Sequence, residues 1–227
     1  MNFLTDISDF FLPRFCPSCK NKLTNLEVVV CNSCLSKIKH AERERTEIEF
    51  ARKFKSEKII KGFTSLFVFE KDKELQDIIH DLKYNGKFSI GIFLGKLLAA
   101  SVNDKIREWK IDWIVPIPLH HLKRAERGYN QSDFIAKGMK KILHVPVKSR
   151  LIKRVRFTET QTTMNLSERK ENMKDAFALR SKKLLQNKSV LLIDDVITTG
   201  ATTSECAKIL LEGGAANVYA ASVAIAD

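Results

Sequence analysis

No stretch of this 227-residue chain is apolar for long enough to cross a bilayer, so the sequence offers no helical membrane span. It has no internal repeat and no low-complexity tract. It also lacks Gly-x-Gly-x-x-Gly and the Gly-Lys-Thr ending of a P-loop, which leaves dinucleotide and NTPase readings weak. Phe3, Leu4, Phe10, Phe11 and Leu12 make the first residues apolar in places, but Asp6 and Asp9 interrupt them and no basic segment precedes them. They read as a short amphipathic helix rather than a signal peptide, so a cytoplasmic protein without membrane insertion is expected. Acidic residues are in deficit: 27 Asp and Glu stand against 39 Lys and Arg, a net charge of +12. The segment 120–156 has eleven Lys/Arg and two Asp/Glu and carries +9 of that excess. Such a patch attracts either a pyrophosphate ligand or a nucleic-acid backbone; a merely solvated basic face is the alternative.

What is present fits a globular α/β protein. Hydrophobic residues make up 44% and charged residues 29%, and the length allows one α/β domain with a small appendage. The most informative stretch runs from Val190 to Thr203. Val190, Leu191, Leu192 and Ile193 read as a strand buried on both faces. Asp194 and Asp195 follow where that strand is expected to leave the sheet. Val196, Ile197, Thr198, Thr199, Gly200, Ala201, Thr202 and Thr203 then form a short turn, and Glu205 to Leu211 read as a helix. A helix start leaves N–H groups unpaired and favours negative charge, threonine hydroxyls add donors, and Gly200 allows close backbone approach. A phosphate therefore has a seat, with two carboxylates beside it to accept hydrogen bonds from sugar hydroxyls. Phosphate plus diol suggests a ribose 5-phosphate. An ordinary strand–turn–helix with an N-capping threonine needs no acidic pair.

Four of the five cysteines, Cys16, Cys19, Cys31 and Cys34, form two C-x2-C pairs separated by eleven residues. Each pair can present two thiolates, and a connection of this length lets four sulfurs meet around one Zn2+. Pro17, Ser18, Asn32 and Ser33 suit the turns. A closed four-thiolate site is structural, so this zinc does no chemistry; a redox pair or chance spacing is the alternative. The expected organisation is a zinc-binding module over 1–40, a charged helical linker over 41–62 and the main domain over 63–227. Cys206 reads as a packed small residue.

Within the main domain, strands are expected at Phe63–Phe69, Trp113–Ile117, Val145–Val147, Leu191–Asp194 and Val218–Ile225. Helices are expected from Leu75 to Asn85-Gly86, over Phe88–Ala100 and over Asp133–Leu143. Strands alternating with helices imply a doubly wound, mostly parallel sheet, with ligands bound beyond the carboxyl ends of its strands. The basic segment 119–132 reads as a loop opening on the same crevice as 196–203. Arg124 and Arg127 are then candidates for a diphosphate, or for a scaffold ion pair. His120 and His121 read as solvated. The polar segment between Arg154 and Phe177 reads as a flexible loop or lid.

The 190–203 stretch resembles the phosphoribosyl-pyrophosphate (PRPP) signature of the type I phosphoribosyltransferases. The resemblance implies that Asp194 and Asp195 hold the ribose hydroxyls, that Val196 and Thr198–Thr202 hold the 5-phosphate, and that the loop with Arg124 and Arg127 binds the pyrophosphate. Three stretches together resemble the ComF family of competence-associated phosphoribosyltransferase homologues. They are Val115-Pro116-Ile117-Pro118-Leu119 running on to Arg127–Ser132, then Arg154 through Thr160-Gln161 to Arg169 and Asn172, and then 190–203. Leu82-Lys83-Tyr84 and the four cysteines fit it too, while Tyr129 stands where Phe is expected.

That resemblance implies a role in natural transformation and a PRPP site with Mg2+ on the diphosphate, while the zinc module and the basic 120–156 segment would give single-stranded DNA an electrostatic track. A competence-machinery partner such as a DNA helicase is implied as well. A phosphoribosyltransferase acting on an unidentified acceptor, with Asp194, Asp195 and Arg127 as catalytic residues, is the second reading. A PRPP-sensing regulator without turnover is the third.

Overall fold

A computed structural model describes residues 13–156, 173–181 and 185–226. The amphipathic segment at 1–12 and most of the proposed lid, 157–172, lie outside the described residues. The chain opens with the cysteine module, which holds helix α1 (Asn32–Lys37), followed by helix α2 (Arg43–Lys53). Four strands build the main sheet: β1 (Phe63–Val68), β2 (Trp113–Pro116), β5 (Ser189–Ile197) and β6 (Asn217–Ile225). They lie in the order β1-β6-β5-β2, and every pairing is parallel. Val147 adds a further parallel bridge to Ile114, so the strand expected at Val145–Val147 is reduced to a single rung beside β2. A separate antiparallel ladder joins β3 (Ile152–Arg154) to β4 (Phe177–Leu179), at the two ends of the polar segment.

Helices cover both faces, which is why the central strands are continuous apolar runs. Leu191 and Ile193 of β5 join the core that includes α3 (Glu74–Tyr84), α4 (Phe88–Glu108) and α6 (Gln131–Leu143). Val190 and Leu192 join the core containing Phe54, Cys206 and Leu210, the latter two from α7 (Ala201–Glu212). Cys206 is fully buried there, as its reading as a packed residue required. The cysteine module is continuous with the first core, because Leu23, Val30 and Ile38 pack with Leu75, Ile78 and Leu82 of α3.

Helix α4 outruns its expected end at Ala100 by two turns, since Val102 and Ile106 keep the apolar spacing into the core. Its crossing with α6 depends on two glycines. A Cβ added at Gly95 would strike the carbonyl oxygen of Ile135, and one at Gly138 would strike that of Ile92. Backbone cannot step aside as a side chain can. Gly95→Ala is therefore expected to push α4 from α6 and destabilise the protein by about 2–3 kcal/mol, read as a lowered denaturant midpoint. An unchanged midpoint would show that the crossing is looser than described.

The basic segment 119–132, read as a loop, contains helix α5 (His121–Arg127). His120 caps its start, its Nδ1 accepting from the Leu122 N–H at 3.4 Å, and Gly128 ends it at φ +79°. His120 is buried rather than solvated, which corrects its reading, while His121 is exposed as expected. Capping by histidine is uncommon, so no familiar start signal marks this helix.

Candidate functional site

The acid pair sits inside β5, not beyond its end. On the β6 side, pairing continues past the acids through Asp194↔Ser222, Val196↔Ala224 and Ile197↔Ile225. On the β2 side it stops at Pro116↔Ile193, where Pro116 and Pro118 cut the neighbouring strand short. The carboxylates thus emerge on one flank of a strand still gripped on the other, a firmer mounting than a free loop. Asp195 is buried and Asp194 partly so.

Lys83, at the end of α3, places Nζ 2.6 Å from Asp195 Oδ2. Ser132, in the first turn of α6, donates to Asp194 Oδ1 at 3.1 Å. The two acids are driven apart electrostatically. Burial, and then the neighbouring Asp195 charge, push the Asp194 carboxyl up to about 8. Burial also works against the Asp195 charge, but the Lys83 ammonium outweighs it and holds that carboxyl below its ordinary value. One site therefore offers a protonated and an ionised acid side by side at neutral pH. Sequence reading did not single out Lys83 as a member of this pair. The only local signal is its place in Leu82-Lys83-Tyr84, and the contact spans more than a hundred residues.

The threonine turn follows directly. Thr198 is exposed, and Thr199 and Thr202 are half-buried, so the turn is open to solvent at the start of α7. Gly200 adopts φ +80°, and a Cβ there would also lie 2.6 Å from Phe54 Cε1. Its absent side chain thus leaves room for α2 behind the turn. Behind it too, Glu49 of α2 is buried against Arg45 (3.0 Å), Arg52 (2.7 Å) and Lys53 (3.0 Å). Lys53 Nζ donates to the Ala226 carbonyl at 2.9 Å, tying α2 to the end of β6.

Arg124 and Arg127 are both on α5 but have different surroundings. Arg127 donates to Gln131 Oε1 at 3.1 Å and to the Tyr84 hydroxyl at 3.3 Å. Arg124 lines a cavity of about 340 Å3 together with Arg150, Lys153, Arg154 and Arg180 from the β3–β4 side. Asp133 faces the same cavity, its carboxyl raised by burial. Ser132 and Asp133, adjacent on α6, therefore look into the acid-pair site and into this cationic cavity respectively.

The four cysteine sulfurs lie within 4.8 Å of one another, and those of Cys19 and Cys31 are 3.7 Å apart. Tetrahedral Zn–S bonds of about 2.3 Å put sulfurs roughly 3.8 Å apart, so the spacing fits zinc. The chemistry fits as well. The Cys31 sulfur accepts from the Cys34 N–H at 3.4 Å, the usual support of a thiolate knuckle. Burial opposes a charge on Cys16, yet N–H groups of Cys31, Cys19 and Ser18 bring its thiol down to about 7. Cys34 is pushed up to about 12 by burial and by the neighbouring sulfurs. Four thiolates this close need a cation, and Cys16, Cys19, Cys31 and Cys34 can hold one.

Among the described residues no helix is long and apolar enough to cross a membrane. No family model matches the chain. Competence protein F of Haemophilus influenzae is 36% identical over 144 residues, 62% of this chain and 63% of that protein. DNA utilization protein YhgH of Escherichia coli K12 is 36% identical over 147 residues, 63% of this chain and 64% of that protein. Competence protein ComFC of Bacillus subtilis is 27% identical over 204 residues, 89% of this chain and 80% of that protein. The match thus spans less than two thirds of the first two relatives. Among solved structures, an adenine phosphoribosyltransferase is similar at TM-score 0.41 and 17% identity, over 66% of this chain and 74% of that one. A purine phosphoribosyltransferase from Pyrococcus horikoshii gives TM-score 0.37 and 20% identity, over 59% and 74%. The chain is thus similar in sequence to Competence protein F, YhgH and ComFC, and it sets four clustered cysteines ahead of a mostly parallel α/β sheet.

Proposed function

We propose that this chain is a ComF-type protein of natural transformation that binds Mg-PRPP at the acid pair and handles single-stranded DNA. The observation that carries the PRPP reading is the mounting of Asp194 and Asp195 where β2 has ended, next to an open threonine turn at a helix start. The ribose hydroxyls bridge the two carboxyls. The turn from Val196 to Thr202 takes the 5-phosphate on N–H groups and hydroxyls. Arg124 and the cationic cavity, with Arg127 beside it, accept the pyrophosphate, whose charge Mg2+ shares. Zinc at the four cysteines is structural.

The names of the relatives, two competence proteins and a DNA utilization protein, support a DNA-handling role. The basic 120–156 segment supports an electrostatic hold on a strand. A competence-machinery protein such as a helicase is the proposed partner, and the cytoplasm the proposed location.

Calorimetric titration of the full chain with PRPP, with and without Mg2+, tests the reading. Saturable Mg2+-dependent binding is expected, and its absence overturns the PRPP site. Pyrophosphate release with an added nucleobase would make the protein a transferase; binding without release would make it a sensor. DNA binding should weaken steeply with salt.

A further inference from the structure

The turn between α3 and α4 leaves six consecutive residues exposed, Tyr84 to Ser89, bending at Gly86. Two of the six are large aromatics, Tyr84 at 54% exposure and Phe88 at 52%. Rings this exposed usually rest on a partner or stand alone among polar groups. These do neither. Phe88 stacks on Phe134 of α6 with ring centres 5.0 Å apart at 25°, and Tyr129 meets Phe134 edge-on at 5.5 Å. The Arg127 guanidinium lies 4.9 Å from the centre of the Tyr84 ring, and Lys137 Nζ lies 4.3 Å from that of Phe134. Phe88, Phe134 and Tyr129 thus form one cluster from segments some forty residues apart, and Tyr84, packed on His80 at 4.9 Å, joins the same face through Arg127, which lies two residues before Tyr129. Asp81, on the helix that leads into the turn, is paired with Lys87 at 2.7 Å and accepts from Asn85 at 2.7 Å.

We infer that this surface is a base-stacking platform for single-stranded nucleic acid, with unpaired bases lying on Tyr84 and Phe88 and the adjoining phosphates on Arg127 and Lys137. The chemistry selects that partner. An apolar peptide would have to bury two guanidinium or ammonium groups against itself, whereas a flat, polyanionic strand satisfies rings and cations together. Paired duplex bases present no free faces to the rings. Tyr84 adjoins Lys83, which holds Asp195, so the strand runs beside the sugar site. The inference rests on the nucleic-acid part of the proposed function and moves its centre from the 120–156 segment alone to the α3–α4 turn.

The test is fluorescence anisotropy of the full chain with a single-stranded 20-mer of thymidylate and with an abasic 20-mer carrying the same phosphates. The native protein is expected to prefer the thymidylate strand. Tyr84→Ala with Phe88→Ala should weaken thymidylate binding about tenfold or more, on the scale of one or two lost stacks, and leave abasic binding nearly unchanged. Tyr84→Phe with Phe88→Tyr should keep the preference, since both retain a ring. A preference for bases that survives the alanine variant, or no such preference in the native protein, overturns the platform while leaving electrostatic DNA binding intact. Failure of the native protein to bind either strand overturns the nucleic-acid reading itself.

Discussion

Replacing Cys16 and Cys19 together with Ser is expected to remove bound zinc and cost the cysteine module on the order of 10 kcal/mol of folding free energy. The damage should spread beyond that module. Leu23, Val30 and Ile38 are in the same core as Leu75, Ile78 and Leu82, so a collapsed module strips one side of α3. Lys20, in the first knuckle, also reaches within 3.8 Å of Asp81 on that helix. Hydrogen exchange should therefore quicken in α3 as well as in residues 13–38, while β5 and β6 hold their protection. Elemental analysis gives the first check. Full zinc content in the double variant would refute the site, and exchange confined to the module would refute its coupling to α3.

Replacing Asp194 and Asp195 with Ala is expected to abolish PRPP binding with the fold intact; undiminished binding would refute the site. The titration of Asp194 adds a sharper expectation. Its folded value, near 8, lies above the unfolded one, so the native state holds a proton that the unfolded chain releases. Its contribution to stability is thus full below about pH 4 and is lost as pH rises toward 8. Asp195 behaves oppositely: its value is depressed, so its contribution is present at neutral pH and lost on acidification. Asp194→Asn should abolish the first slope. It should be more stable than the native protein at pH 8 by on the order of 5 kcal/mol, and about equal to it at pH 4, in matched thermal melts. Identical pH profiles would show that Asp194 ionises normally. Mg2+ beside that carboxyl favours its charged form, so PRPP binding at pH 7 should release close to one proton, read from calorimetry in buffers of different ionisation heat.

Much of this was legible because its causes are local. The two C-x2-C pairs, the apolar run of β5 and the helical spacing of Leu75, Ile78, Ile79 and Leu82 all act within a few residues. The misreadings arose where distant segments decide. Nothing near Asp194 says that β6 keeps pairing beyond it while β2 does not. The 119–132 segment looks like a loop because its helix has no apolar face to bury, and every residue of α5 is at least partly exposed. The stacking of Phe88 on Phe134 likewise joins residues of two helices far apart in the chain.

The strand order also bears on how the chain is made. Among the described strands, β6, the latest in sequence, lies between β1, the earliest, and β5. A ribosome adding about 5–20 residues per second therefore leaves one edge of β1 without its β6 partner for roughly 10–30 s, while the other edge can already meet residues 39–41. All six of its residues are buried in the finished sheet. The nascent polypeptide thus carries Phe63, Leu66, Phe67 and Val68 with one strand edge uncovered during that interval, and its yield in cells should respond to chaperone capacity.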